Sequence, residues 1–424
     1  MPEYLPRTVD MELDELVPVL PAISLDGPKG VGKTLTAQRR ARTTFAMDDS
    51  DQRELLAGDP ARLDQSPPPV LIDEWQRHPP VWDMVRRSVD RDYSGGRFLL
   101  TGSATPIEAP THSGAGRIVR IRMRPMTLAE RGLDTPTVSL RTLLAGQQQQ
   151  LDGETETDLQ VYTEEILRSG FPAIRSLPPR ARRVELDSYL ANIVEHEFPE
   201  QGRLVRRPTT LHAWLTAYAA ATSTTASYTA ILDAATPGDT DKPSKPTTIG
   251  YRDVLSQIWL LDPVPGWLPI GNHFTRLAQN QKHHLADPAL AARLLGASEE
   301  SLLSGRSVGP SIPRDGTLLG ALFESLVALS LRVYAQANEA RIYHLRTRNG
   351  DHEIDFIIER DDHRVVALEV KLSAVVGESD LKHLHWLRKR LGDDLLDAAV
   401  ITTGRYAYRR QDGIAVIPAA LLGP

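Results

Sequence analysis

Eight residues, Gly27 to Thr34, read GPKGVGKT and satisfy the spacing G-x-x-x-x-G-K-[ST] through Gly27, Gly32, Lys33 and Thr34, with Gly30 as a further glycine. Small residues at these positions let backbone N–H groups close on phosphate oxygens, so the whole run of Gly27, Pro28, Lys29, Gly30, Val31, Gly32, Lys33 and Thr34 reads as a cradle for ATP. Lys33 neutralises β/γ charge, and the Thr34 hydroxyl is placed to ligate Mg²⁺. Further on, PVLIDEWQ ends an apolar run in Asp73 and Glu74. Asp73 then serves the metal from the end of a strand, and Glu74 polarises the attacking water. In LLTGSAT, Thr101 and Ser103 stand where a γ-phosphate would be sensed, although capping a strand accounts for them nearly as well. Arg117 in GAGRI reads either as an arginine finger acting in a neighbouring copy, which implies a homo-oligomer, or as a surface arginine. Arg120, Arg122 and Arg124 alternate and share a face; they fit a subunit interface, a phosphate-backbone contact or, more simply, a solvated edge strand.

A second constellation lies far along the chain. In ALEVKLS, Glu369 and Lys371 are two apart and project from one face of a strand. Asp355 stands on the preceding apolar run and Glu324 on a helix before it. Asp355 and Glu369 are candidate Mg²⁺ ligands, Lys371 a group that orients water or stabilises a phosphorane, and Glu324 an additional acid. Asp355 faces Glu369 only if the hairpin is centred on residue 362, which requires an odd-numbered loop or a bulge; an even loop puts the acids on opposite faces. The competing reading is an ordinary strand whose charges pair in solvent. His283, His284 and Asp287 suggest a metal only superficially, because adjacent histidines alternate faces on a strand; a structural role suits them better.

These residues need elements to hold them. Short apolar runs at 22–25, 44–47, 70–72, 98–102 and 117–123 alternate with helical stretches, the pattern of a parallel sheet covered by helices. Pro67, Pro68 and Pro69 stop any helix before the third run. Residues 146–152 read as a linker, 159–207 as helical, 236–246 as a loop, and the segment after it as a helix with a short strand, as in a winged helix. A long apolar helix is expected over 317–335. After it come a hairpin from 352–359 and 364–373, a basic helix near 381–391, and a final strand.

The chain has 424 residues and no cysteine, so thiolate metal sites and cysteine nucleophiles are excluded, and two or three domains are expected. Its net charge of −6 offers no global attraction for nucleic acid, and 301–424 is close to neutral. Any contact with DNA or RNA would rest on local patches. The first residues lack the basic start and apolar stretch of a secretory signal. The longest uncharged run, Leu211 to Leu232, is rich in Ala, Thr and Ser and suits one or two buried helices. The expectation is a cytoplasmic protein with no membrane partner.

Taken with YLPR, LLTGSAT, RPMTLAE, RSGFPAI, KHHLADPALAARLLG and GALFESLVALSL, these motifs make the chain resemble bacterial AAA+-like ATPases that carry the domain of unknown function 4143 at their C-terminus. Lys29, where arginine is commoner, and Trp75, where a smaller aliphatic is commoner, are small departures. The resemblance implies an α/β fold in three parts. These are a P-loop ASCE/AAA+-like ATPase domain over 1–152, a helical and winged-helix-like region over 153–300, and a PD-(D/E)XK nuclease-like domain over 301–424. The function expected is an oligomeric, Mg²⁺-dependent ATPase acting on nucleic acid through a nuclease-like domain. The alternative is an ATP-controlled regulatory or DNA-binding switch with an inactive nuclease-like fold.

Overall fold

The computed structural model describes residues 4–104, 114–148, 150–200, 207–236, 243–268, 280–305, 309–314, 316–347 and 350–424. The first apolar runs form five strands: β1 (Ala22–Asp26), β2 (Thr43–Ala46), β3 (Val70–Asp73), β4 (Phe98–Gly102) and β5 (Val119–Arg122). All pair in parallel in the order β2-β3-β4-β1-β5. β1 and β4 are central and buried at every residue, as parallel strands with helices on both faces must be. Their C-terminal ends share one edge, where the loop Gly27–Gly32 and Glu74 emerge.

The C-terminal half is built on a seven-stranded sheet. β6 (Val138–Ser139) and β7 (Gly153–Glu154) come next in the chain, and β7 joins this sheet. β8 (Arg341–Arg346), β9 (Glu353–Glu359), β10 (Val365–Val370), β11 (Leu395–Thr402), β12 (Tyr406–Arg409), β13 (Ala415–Pro418) and β14 (Leu422–Gly423) follow. The order is β7-β12-β13-β11-β10-β9-β8, and β6 pairs separately with β14. Residues expected to form a linker therefore run into strands of the C-terminal half. Alternation divides the hairpin residues of the sheet between two cores, with irregularities in β9 and β11. Phe356, Ile358, Val366 and Leu368 pack in the main core with the helix Leu318–Ala337, whereas Ile357, Val365 and Ala367 pack against Leu381, Leu384 and Leu387 of the helix Glu378–Leu391. The sheet is thus sandwiched between helices.

Among the described residues, Leu318–Ala337 is the one helix long and apolar enough to cross a membrane, and it is largely buried in the core. The uncharged run divides into the helices Pro208–Ala220 and Tyr228–Ala235. The expected winged helix is reduced: the helix Lys245–Gln257 is followed by two isolated antiparallel bridges, Leu261 with Leu285 and Val264 with Lys282. Part of the segment that would form a wing, 269–279, lies outside the described residues.

β5 is an edge strand of the first sheet, as read, but Arg122 and Arg124 are not solvated. Both reach the buried Asp262, at 3.0 and 2.8 Å, and Arg332 approaches the same carboxylate at 3.5 Å. Burial alone would raise the Asp262 carboxyl, but these three guanidinium groups hold it far below the carboxylate range. Arg120 stands apart, over the Trp82 ring and 3.7 Å from Asp26.

Candidate nucleotide site and carboxylate centre

The phosphate loop is shaped by close packing. A Cβ on Gly27 would lie 2.0 Å from the Met123 carbonyl oxygen, and Gly32 caps the helix Lys33–Gln38 at φ 101°, a left-handed conformation that favours glycine. Arg7, from the YLPR segment, braces the loop: its guanidinium donates to the carbonyls of Val31 (2.8 Å) and Arg124 (2.7 Å) and lies 3.3 Å from Glu130. Lys33 is 5% exposed and donates to the carbonyls of Gly27 (2.8 Å) and Pro28 (2.9 Å). Burial pulls its ammonium down to about 8, against the pull of Glu74, Asp26 and Asp73.

The acids assemble around it. Thr34 Oγ1 donates to Asp73 Oδ1 at 2.8 Å, and Thr101 donates to the same oxygen. Glu74 follows β3 in a left-handed backbone conformation, φ 52° and ψ 44°, a sparsely populated region for such a residue. Its Oε2 accepts from Ser103 Oγ at 3.0 Å and from the Gln76 amide, which also donates to Ser103 at 3.0 Å. Gln76 was not singled out from sequence, although its place two residues after Glu74 was the available signal. Thr34 and Asp73 fit a Mg²⁺ ion carried in with a nucleotide, because both are hard oxygen donors already brought together.

A cavity of about 560 Å³ adjoins the loop at Lys29 and Gly30 and reaches Ser103; Phe171, Tyr189 and Glu197 contribute to its far wall. Lys29 pairs with Glu197 at 3.2 Å, and the Tyr189 hydroxyl donates to the Lys29 carbonyl at 3.3 Å. The helical segment 189–197 therefore lies against the loop. Its last turn, Ile193–Glu197, is a π-helix. Arg117 stands at the surface, paired with Asp90 at 2.9 Å.

In the C-terminal half, β9 and β10 pair with Leu368 opposite Phe356 and Val365 opposite Glu359. The pairing ends at Leu368 and Phe356, and Asp355 and Glu369 are the next residues on the two strands. The paired residues centre the hairpin on Asp362, with the odd loop that geometry requires, and β9 is irregular where it reaches Asp355. Glu324 reaches the same place from the helix Leu318–Ala337. The residue that completes the centre was not foreseen. Lys282, 1% exposed, puts its Nζ 2.9 Å from Asp355 Oδ1, 3.0 Å from Glu324 Oε1 and 3.3 Å from Glu353 Oε1. Glu353 is two residues before Asp355 on β9 and so faces the same side, a spacing visible in the sequence. Lys282 left no such signal, since its strand bridge belongs to the middle of the chain.

The Val370 N–H donates to Asp355 Oδ2 at 2.9 Å, so both Asp355 oxygens are engaged. Lys371 lies 3.3 Å from Glu369 Oε2, while Glu369 Oε1 is buried with no hydrogen-bond partner. Burial, reinforced by Asp355, drives the Glu369 carboxyl well above its usual range. Burial likewise lifts Glu324 to about 8, against the pull of Lys282. Burial opposes the Lys282 charge, but Asp355, Glu324 and Glu353 together raise its pKa well above that of an ordinary lysine. Asp355, Glu369 and Glu324 thus do not converge as a set of metal donors here. Among the described residues, the set of three whose donor atoms lie within 4.8 Å of one another is Glu378, His385 and Asp412, and Arg410 already pairs with Glu378 at 2.5 Å and Asp412 at 3.3 Å.

The histidine pair is structural. His283 Nε2 lies 2.7 Å from the Ala226 carbonyl, His284 is buried with neither ring nitrogen bonded, and Asp287 caps the helix Pro288–Leu294 through the Ala289 N–H.

Residues 20–131 match the family model of an AAA domain, so the first sheet and its loop are of the AAA type. Residues 159–301 and 319–422 match two domains of unknown function, 8612 and 4143. An uncharacterized protein of Mycobacterium bovis and one of Mycobacterium tuberculosis are each 24% identical over 408 residues, spanning 94% of this chain and 80% of the relative. A solved structure of the ORC2 protein of Aeropyrum pernix, in ADPNP and ADP complexes, is 13% identical over 68% of this chain and 90% of its own, with a TM-score of 0.28.

Proposed function

We propose that the protein is an ATP-hydrolysing switch whose nucleotide state is passed to the C-terminal half. The observation that carries this reading is the assembled array of Lys33, Thr34, Asp73, Glu74 and Ser103 at the edge of an AAA-type sheet. An incoming triphosphate draws the Lys33 ammonium from neutral loop carbonyls to the β/γ oxygens. Thr34 and Asp73 would hold Mg²⁺, which supplies charge neutralisation on the phosphates. Glu74, fixed by Ser103 and Gln76, aligns water on the γ-phosphorus and takes its proton as the bond to ADP breaks. A γ-phosphate beside Ser103 also meets the wall containing Glu197, whose carboxylate it repels; the segment 189–197 is the element that would respond. Phosphate release from ATP, measured with and without Mg²⁺, tests the reading. Absence of both ATP binding and turnover would overturn it.

A second reading, cleavage of DNA or RNA by the C-terminal half, is favoured by the contact of Asp355 with the Val370 N–H, next to Glu369, with Lys371 alongside. Incubation with labelled single- and double-stranded substrates and Mg²⁺ or Mn²⁺, in each nucleotide state, tests it. Intact substrate throughout would leave the switch as the function.

A further inference from the structure

We infer that Lys282 is the resident cation of the C-terminal carboxylate centre. Its ammonium stands where a divalent metal would have to sit, within reach of three carboxylates, and the resulting ion cluster clasps the middle region onto the C-terminal sheet. Three observations meet here. Lys282 is almost wholly buried and within 3.3 Å of three carboxylates from two elements, the helix Leu318–Ala337 and β9. An ammonium has three N–H donors, and Glu324, Glu353 and Asp355 give each of them an acceptor. The second Asp355 oxygen accepts from the Val370 N–H, so both oxygens of this residue already have a donor from the chain. Glu369, 3% exposed, keeps Oε1 unbonded beside this cluster, an acidic group left over once Lys282 has neutralised the rest.

Charge compensation explains why these groups coexist. A buried carboxylate costs several kcal/mol of lost hydration, and an isolated cluster of four would shed protons only with difficulty. One divalent ion is the usual solution; a fixed ammonium is another, and it needs no exogenous ion. Its consequence is mechanical. Lys282 lies on the bridge to Val264, in the strip that also carries Asp262, the acceptor for Arg122, Arg124 and Arg332. The strip 260–264 and 282–285 is therefore pinned on one side to Arg122 and Arg124 at the end of β5 and on the other to the carboxylate centre. Metal entry would require Lys282 to leave, and with it this strip.

Mn²⁺ binding to the nucleotide-free full-length chain, counted by electron paramagnetic resonance, tests the inference independently of ATP turnover. The wild type and Glu369→Gln should bind the same number of ions. Lys282→Met should gain one Mn²⁺ per chain, and adding Glu369→Gln or Asp355→Asn to it should remove that ion. If Lys282→Met does not fold, Lys282→Arg, which keeps the charge, should fold and keep the wild-type count. A Mn²⁺ ion on the wild type that Glu369→Gln removes, or a Lys282→Met chain that folds and gains none, would overturn the assignment.

Discussion

The two halves of the molecule each bury a lysine, and they use it in opposite ways. Lys33 is held by two neutral carbonyls of its own loop, and burial depresses its pKa to about 8. Lys282 is held by three carboxylates, and its charge is reinforced. A cation that directly contacts only neutral acceptors has no ion pair to give up, so an incoming phosphate can take it. A cation already surrounded by anions has nothing left to attract. Burial by itself therefore does not distinguish a binding lysine from a structural one; the partners do.

The sharpest attempt to break this contrast acts on the catalytic side. Glu74→Gln should lower ATP turnover by about 10²- to 10⁴-fold while ATP binding, followed with a fluorescent analogue, is retained. Turnover equal to wild type would place catalysis elsewhere. On the other side, Lys282→Met should destabilise the protein by about 3–5 kcal/mol in urea unfolding, because it strands buried carboxylates. Lys33→Met, with no direct carboxylate contact to break, should cost far less.

Acid should separate the halves as well. Burial, assisted by Lys282, pulls His344 down to about 4, and its Nε2 lies 2.7 Å from the Asn280 carbonyl, close to the clasp in sequence. The native state holds this ring neutral while the unfolded chain protonates it near 6.5. Its contribution is thus present above 6.5 and lost as pH falls towards 4, by at most about 3 kcal/mol. His344→Gln should flatten that part of the pH–stability curve. Next in size, Lys33→Ala should weaken ATP binding by about 100-fold, the loss of a charge-assisted contact of about 3 kcal/mol, measurable by calorimetry. The smallest effect belongs to Arg117→Ala. Its pair with Asp90 is at the surface, so stability should change by less than about 1 kcal/mol. If Arg117 acts as a finger in a neighbouring copy, turnover per chain should rise with wild-type concentration and not with the variant's; equal concentration dependence would remove that role.

What the sequence determined by itself was local. The phosphate loop, the acids after β3 and all five strands of the first sheet followed from glycine conformation, apolar periodicity and the two-residue repeat of a strand, which act over a few residues; the parity of the C-terminal hairpin stayed open until the fold set its loop. Even Glu353 was legible in principle, two places from Asp355. Tertiary structure decided who neutralises whom. Arg122 and Arg124 read as an exposed stripe until Asp262 arrived from the middle region, and Asp355 and Glu369 read as metal ligands, with Glu324 as an additional acid, until Lys282 stood among them. Charges separated by tens or hundreds of residues meet only when the chain has folded. Their sign and spacing along the sequence therefore carry no information about which counter-charge, a metal ion or a lysine of the same chain, will occupy the place between them.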